Sequence, residues 1–428
     1  MKKTINFTFF LTLFLAVFLP FREAISLYTT GFVKFIPDIF IWASALVIVI
    51  RTRFRLYLKT FDFAFGGFIL LGLISTLMNS SSLLAFALQT RSIATMYVFF
   101  YLLRNISLEK KQINIIVSVL MGVSFLLVGF GIIEHIWCKT IFFPEAWASN
   151  ILYASNFARV YSLMDNPNTF AFFLYMVIIA VYSFNRKNHR AIHYIFYLVA
   201  FFGIVLSASR STFIALVFFF ALLVFYGFKK KEWKNLIAVS VCAVVAFVLI
   251  YPVNAVKSAV LGSDSEPGGI AIVDRFEEMQ SDEIITQSSG DGRLYMIKKG
   301  FEIFADHPVL GTGFGTYGSA GSRMVDSGLY EKYGMREGLY SDNEYIKVIV
   351  ETGIMGVLMY AIFALSLFKY CLKSKYKAVA FLSFMFIGMF YNMFEVQSLT
   401  FVFYFIIAVM NKDVGVSDNE KISEKNIQ

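Results

Sequence analysis

Three charged residues stand in settings that suit chemistry better than scaffolding. Arg210 lies in the small-residue turn SASRST (Ser207 to Thr212), Arg293 opens the stretch GRLYMIKKGFEIF, and Asp342 precedes Asn343 in SDNEYIKVIVETG. A guanidinium is a planar fork that offers a diphosphate charge-assisted, bidentate hydrogen bonds. Three serines with Ala208 permit a tight connection that aims Arg210 into an interface, where a snorkelling arginine on lipid head groups is the alternative. Arg293 falls in the first turn of its segment, beside the positive end of a helix dipole, an unfavourable place for a cation unless a ligand holds it. Asp342 is a carboxylate able to take a proton from a sugar hydroxyl. The blander account makes Ser341 and Glu344 a capping box with Asp342 in the first helical turn, where the dipole keeps it ionised and weakens it as a base.

A second tier surrounds these. Arg91 is near the middle of an apolar run, and burying it costs about 2.5 to 3.5 kcal/mol on insertion scales, so it should face inward and have a partner. Glu351 is the expected partner, and a purely structural pair is the competing account. Asn166 before Pro167 starts a helix, which explains most of the segment Asp165 to Asn168 and leaves Asp165 and Arg159 as further candidates. Leu294, Ile297, Phe301 and Phe304 share one helical face, with Asp291 as N-cap and His307-Pro308 as the end, which predicts a helix lying along the membrane surface. Gly311, Gly313, Gly315 and Gly318 then make a flexible turn whose amides suit phosphate. Because GTGFG follows a helix and not a strand, a dinucleotide-binding motif is excluded.

These residues need a scaffold, and composition says what kind. Of 428 residues 58% are hydrophobic and 16% charged, with three scattered cysteines, and the mean hydropathy is +0.67. An all-α polytopic membrane protein follows. The run from Ile5 to Leu19 resembles a signal peptide at its start but lacks a small-residue cleavage site, so it reads as a first span. Apolar runs predict twelve spans, near 5–20, 35–50, 61–78, 83–103, 113–137, 167–184, 192–206, 211–228, 235–252, 343–368, 376–392 and 396–411. The cysteines form no disulfide framework, and His189 with His193, although spaced i, i+4, lacks a third metal ligand. No metal or cofactor is expected.

Basic residues set the orientation. Alternate connections and the two ends carry 23 of the 38 Lys and Arg, which makes that side cytoplasmic with both termini inside. The net charge of +9 is therefore a topology signal and not a sign of nucleic-acid binding. The plan is residues 1–252 with spans one to nine, a large external loop at 253–342 carrying the amphipathic helix, residues 343–411 with spans ten to twelve, and a disordered tail at 412–428. The loop from Val253 to Asp342 holds eight Lys or Arg against fourteen Asp or Glu. An anion there needs individually placed arginines rather than bulk charge.

SASRST on an external turn, GR leading through an amphipathic segment to HPVLGTGFGTYG, and SDNEYIKVIVETGIMG entering the next span together resemble the O-antigen ligase and Wzy-type polysaccharide polymerase superfamily. The motifs cover roughly residues 160 to 360, and their order and sidedness, more than any single one, carry the resemblance. It implies a membrane glycosyltransferase of the GT-C type in the bacterial cytoplasmic membrane, using neither nucleotide sugar nor metal. The implied donor is a glycan on undecaprenyl diphosphate, with inversion at the anomeric carbon. A flippase and a chain-length regulator are the implied protein partners.

Carried over by motif, Arg210 and Arg293 would neutralise the leaving diphosphate, where charge develops in the transition state. Arg91, Arg159, Asn343 and Glu351 would line the diphosphate and glycan site. Ligase-side members carry a histidine before the asparagine that starts the tenth span, whereas Asp342 stands here, which moves the expectation toward a polymerase. A ligase that passes finished polymer to a lipid A core or another acceptor remains the alternative within the class. A lipid-linked oligosaccharide flippase is the alternative outside it, although no pair of broken helices marks this sequence as a transporter.

Overall fold

Long apolar stretches with few polar interruptions leave the backbone no partner in a membrane except itself, and helices are the outcome. The computed structural model describes residues 2–29, 31–51, 57–106, 108–137, 159–185, 189–227, 233–261, 292–326 and 328–410. In chain order the helices are α1 (Lys2–Leu27), α2 (Ile36–Arg51, entered through a 3-10 turn at Gly31–Phe35), α3 (Thr60–Met78), α4 (Leu83–Asn105), α5 (Lys110–Trp137), α6 (Pro167–Asn185), α7 (Ala191–Ser207) and α8 (Arg210–Gly227). There follow α9 (Trp233–Val248), α10 (Ile250–Leu261), α11 (Arg293–Asp306), the single turn α12 (Leu329–Lys332), α13 (Glu344–Cys371), α14 (Lys375–Ile387) and α15 (Gln397–Val409).

The twelve apolar runs all overlap helices, the run at 235–252 crossing from α9 into α10 and the run at 376–392 continuing beyond the end of α14 at Ile387. Eight helical segments are long and apolar enough to cross a membrane, and three more apolar helices are shorter, at Ala191–Ser207, Arg210–Tyr226 and Gln397–Val409. The chain is a multi-pass membrane protein. Cys138, Asp291, residues 262–291 of the long loop and the 412–428 tail lie outside the described residues.

Helix α6 is apolar on every side because it is buried on every side: from Phe170 to Ala180 each side chain is fully inaccessible. It packs against α5, α7 and α15, and α15 in turn packs against α4. On the other flank α3 and α13 form the most extensive helix pair. Outward-facing apolar side chains such as Phe63, Leu70, Val217 and Leu365 stay exposed, as lipid-facing positions should.

One element departs from the expected regularity. Helix α13 is broken at Gly353, whose φ of 59° and ψ of −165° are non-helical. The break frees the carbonyls of Val350 and Glu351 and the amides of Ile354 and Met355. All four are taken by residues 308–313: Thr312 N donates to Val350 O (2.9 Å), Gly313 N to Glu351 O (2.9 Å), Ile354 N to Pro308 O (2.9 Å) and Met355 N to Val309 O (3.2 Å). Irregular backbone survives inside a membrane bundle only where protein satisfies it, and here the satisfaction is reciprocal. The glycine-rich turn is therefore a buried plug and not a flexible turn with free amides. Phe314 anchors it, lying edge-on to Phe68 at 5.1 Å and filling the space a side chain at Gly72 would need.

The amphipathic helix α11 is present, but its buried seam is not the one the apolar stripe suggests. Met296, Gly300 and Ile303 are buried, and Gly300 lets Ile346 and Val350 of α13 approach so closely that a Cβ there would come within 2.5 Å of Ile346. Leu294 and Phe301 stay exposed. Close approach through a glycine has outweighed the larger side chains of the neighbouring face.

A Cβ at residue 353 would lie 2.5 Å from the Val309 carbonyl and 2.6 Å from Gly311 N. Gly353→Ala should therefore cost about 2 kcal/mol or more, from the forbidden φ and the clash together. A lowered thermal midpoint of the detergent-solubilised variant checks this, and an unchanged midpoint would contradict it.

Candidate functional site

The plug brings the polar segments of the chain to one end of the bundle, and Glu351 is its fastening. This carboxylate is 2% exposed, and its Oε1 accepts from Gly315 N at 3.0 Å and Tyr317 N at 3.2 Å. Asn79 Nδ2 donates to Gly311 O (2.9 Å) and Ser81 Oγ to Thr312 O (2.8 Å), so the α3–α4 connection closes over the same turn. Beyond it, Gly318 O receives Asn392 Nδ2 at 2.7 Å and Ser341 N at 3.0 Å. Tyr330 accepts from Gly318 N at 2.7 Å and donates to Leu339 O at 2.9 Å.

These contacts pin the backbone on both sides of Asp342. Ser341 does not cap the next helix; its hydroxyl sits 2.8 Å from Asn392 Oδ1. The cap is Asn343, whose Oδ1 accepts from Tyr345 N (3.0 Å) and Ile346 N (3.1 Å), and whose Nδ2 donates to Met389 O (3.1 Å). Asp342 thus lies before the helix rather than in its first turn, at a φ of 47°. Aspartate is among the few residues that tolerate this region. The turn aims its carboxylate at Arg293, the first residue of α11, with Nε 3.3 Å from Oδ2. Both side chains keep about a third of their surface open, 37% and 30%. The structure therefore joins the two residues that the sequence singled out separately.

Arg210 is the first residue of α8 and is half-buried, in a turn whose other members, Ser207, Ala208, Ser209, Ser211 and Thr212, are buried. Arg159 holds that turn from behind: its Nε donates to Ser207 O (3.0 Å) and its Nη2 to Asn168 Oδ1 (2.7 Å). Ser209 Oγ donates to the same Asn168 oxygen at 2.9 Å. Next to Asn168, Thr169 shares a 2.9 Å hydrogen bond with Tyr391, and the Tyr391 hydroxyl lies in the fields of Asp165, Asp342 and Arg293. Hydrogen bonds thus link the Arg210 turn to Asn168, and Thr169 beside it to Tyr391, whose hydroxyl lies within electrostatic range of the Arg293–Asp342 pair. Asp165 keeps solvent contact at this end of the bundle. Desolvation by the surrounding protein and the neighbouring Glu23 raise its pKa above the ordinary aspartate range, against the pull of Arg22 and Lys34, although the residue remains exposed.

Two expected placements need correction. Arg91 does not meet Glu351; its Nε and Nη2 bind Asp38 Oδ2 of α2 at 2.9 and 2.6 Å. Asp38 is itself an ionisable residue in an apolar run, the signal that should have nominated it. Glu351 is committed to the plug. Sequence reasoning also passed over Lys347, 2% exposed, which binds Glu395 at 2.7 Å and Glu344 at 3.0 Å. Glu395 further accepts from Gln89 Nε2 (2.7 Å), Ala320 N (2.9 Å) and the Tyr340 hydroxyl (2.8 Å). Burial and the Glu395 carboxylate hold Tyr340 in its neutral, donating form by raising its pKa. Arg323 lies 5.6 Å from the Tyr340 ring and is exposed.

A multi-pass bundle that clasps a polar loop over one end, with a partly open arginine–aspartate pair at the clasp, defines a membrane protein built to work on something at that surface. Residues 195–361 match the family model described as O-antigen ligase, Wzy_C. The match agrees with the resemblance read from the motifs to the O-antigen ligase and Wzy-type superfamily, and over this region the chain is similar to that family. The matched segment spans α7 to α13 and includes Arg210, Arg293, Asp342, Asn343 and Glu351, with Arg91, Arg159 and Asp165 outside it. No curated protein matches the chain.

Removing the Lys347 cation from between Glu344 and Glu395 should be severe. Lys347→Met strands Glu344 and Glu395 and should destabilise the fold by about 3–5 kcal/mol, the usual cost of breaking a buried pair. Loss of folded protein from the membrane fraction checks this; a normal yield with a normal midpoint would contradict it.

Proposed function

We propose that the protein is a bacterial cell-surface polysaccharide polymerase of the cytoplasmic membrane. It has twelve crossings with both termini cytoplasmic, and its site lies on the external face below the 253–342 loop. It transfers a glycan from undecaprenyl diphosphate onto a lipid-linked repeat unit, downstream of a flippase and beside a chain-length regulator. The observation that carries this reading is the Arg293–Asp342 contact at 3.3 Å, which places a guanidinium suited to a diphosphate beside a carboxylate suited to act as a base.

The tie supplies an order of events. A donor diphosphate competes for Arg293 and is held by Arg210 as well, and its arrival releases Asp342 from its counter-ion. The freed carboxylate takes the proton of the acceptor hydroxyl as that oxygen attacks the anomeric carbon. The bond from that carbon to the diphosphate oxygen breaks, and its electron pair leaves with the diphosphate, where the two guanidinium groups meet the developing charge. A single displacement inverts the anomeric centre. Arg159 and Asn343 act through position, one behind the Arg210 turn and one fixing the backbone next to Asp342, and Glu351 secures the loop.

A ligase that uses the same chemistry on a lipid A core or another acceptor is the second reading, favoured by the description of the matching family. The flippase reading gains a broken helix in α13 but no pathway from it, since the groups freed at the break are bonded to the chain's own plug.

The size distribution of lipid-linked and surface glycan in cells carrying Arg210→Ala separates the three. Single repeat units accumulating on the lipid, with surface polymer lost, is the expected result. Full-length polymer stranded on the lipid would mean ligase, and units trapped on the cytoplasmic leaflet would mean transporter. In the purified protein Asp342→Asn should lower turnover by about 10²–10⁴-fold, while Asp165→Asn should change it little. Because the pKa of Asp165 is raised, a base at that position would be neutralised on acidification already above the ordinary aspartate range. Loss of such an acid limb in Asp165→Asn would transfer the base to Asp165.

A further inference from the structure

Outside the matched segment, the same end of the bundle carries a second set of cations that the transfer chemistry does not use. Arg91 on α4 and Lys34 in the 3-10 turn are adjacent: Arg91 Nη2 lies 3.5 Å from Lys34 O, and the guanidinium sits over the Phe35 ring at 4.0 Å. Carboxylates lie deeper and hold the cations in place. Asp38 has 9% of its side chain exposed against 31% for Arg91, and Glu23 has 20% against 45% for Lys34. Arg22 completes the frame, binding Glu23 with Nε and Nη2 and Gln397 with Nη1, and Gln397 Nε2 reaches Asp38 at 3.3 Å.

The frame leaves donors over. Arg91 spends Nε and Nη2 on Asp38, so among the described residues Nη1 has no partner, and Lys34 Nζ has one partner, Glu23 at 2.7 Å, for its three protons. These open N–H groups point to an anion with several acceptor oxygens. Depth is marked independently by an aromatic side chain. Tyr28, six residues before Lys34 and 66% exposed beyond the end of α1, is of the type enriched at head-group level, where the phosphates of lipids lie. Asp165 lies within the electrostatic reach of Lys34 and Arg22 on one side and of Tyr391 on the other. The cation set therefore belongs to the same surface as Arg293 and Asp342.

We infer that Lys34 and Arg91 form a second subsite for a lipid-borne diphosphate, that of the acceptor, separate from the donor subsite at Arg210 and Arg293. The inference rests on the polymerase reading, in which both substrates are lipid-linked; a ligase acting on a soluble acceptor would need one such site. The chemistry of an ordinary phospholipid head group is similar enough that the test must distinguish it.

Full-length protein in phosphatidylcholine nanodiscs is titrated with farnesyl diphosphate by calorimetry. Two equivalents should bind to the native protein. Lys34→Gln/Arg91→Gln should leave one, with the other weakened at least about ten-fold, or 1.4 kcal/mol. Lys34→Gln alone, at a half-exposed position that leaves the Arg91–Asp38 pair intact, should weaken the same equivalent about three-fold, as loss of one charge-assisted contact would. Two undiminished equivalents in the double variant would overturn the assignment, as would equal displacement by phosphatidylglycerol, which would mark a head-group site. Arg210→Gln/Arg293→Gln should remove the other equivalent. If that variant still binds two while the Lys34/Arg91 variant binds one, the donor assignment fails and this subsite stands.

Discussion

The arrangement at the working end depends on one buried carboxylate and the helix break beside it. Glu351 accepts two amides of the plug, and the broken turn at Gly353 exchanges four backbone hydrogen bonds with residues 308–313. A buried carboxylate without donors would be costly, and so would four orphaned backbone groups in a membrane bundle. Each deficiency is satisfied by the other segment, so loop and bundle hold one another in a single register. Everything beyond the plug inherits that register: α11 lies on α13 through Gly300, and residues 339–343 are tied to Tyr330, Gly318, Asn392 and Met389.

From this rigidity follows the placement of charge. Arg293 and Asp342 are 49 positions apart in sequence and meet because α11 and the start of α13 are both fixed to the plug. The deep set, Lys347 with Glu344 and Glu395, is fully enclosed and works as scaffold. The shallow set, Arg293 with Asp342 and Lys34 with Arg91, keeps surface open. Burial therefore separates two populations of ionisable residues that look alike in sequence: inner pairs that set geometry and outer ones left free to exchange partners with a ligand.

Much of the scaffold was legible from hydrophobic runs alone, since in a membrane an apolar stretch has few structures open to it; every run overlaps a helix, though not with the same ends. The motifs were legible too, because an arginine in SASRST and an aspartate before Asn343 contradict their apolar surroundings. Pairing was not. Sequence pairs Arg91 with Glu351 because both are ionisable residues in spans, but which helices are neighbours is a tertiary fact, and α2, carrying Asp38, packs on α4. The glycine-rich turn was misjudged for a related reason. Glycines announce unusual backbone, and whether the freed amides face a ligand or a carboxylate such as Glu351 depends on what packs above them. On α11, Gly300 outweighed Leu294 and Phe301 because close approach is invisible to a count of apolar side chains.

On the proposed function, the purified protein joins lipid-linked glycans and displaces one lipid diphosphate at each step. The most direct measurement supplies purified protein with one substrate, a lipid-linked repeat unit, without nucleotide sugar, and follows glycan length and free lipid diphosphate together. The account predicts a ladder of polymer with one lipid diphosphate released for every linkage formed. Release of diphosphate without elongation, or elongation that begins only when a nucleotide sugar is added, would contradict it.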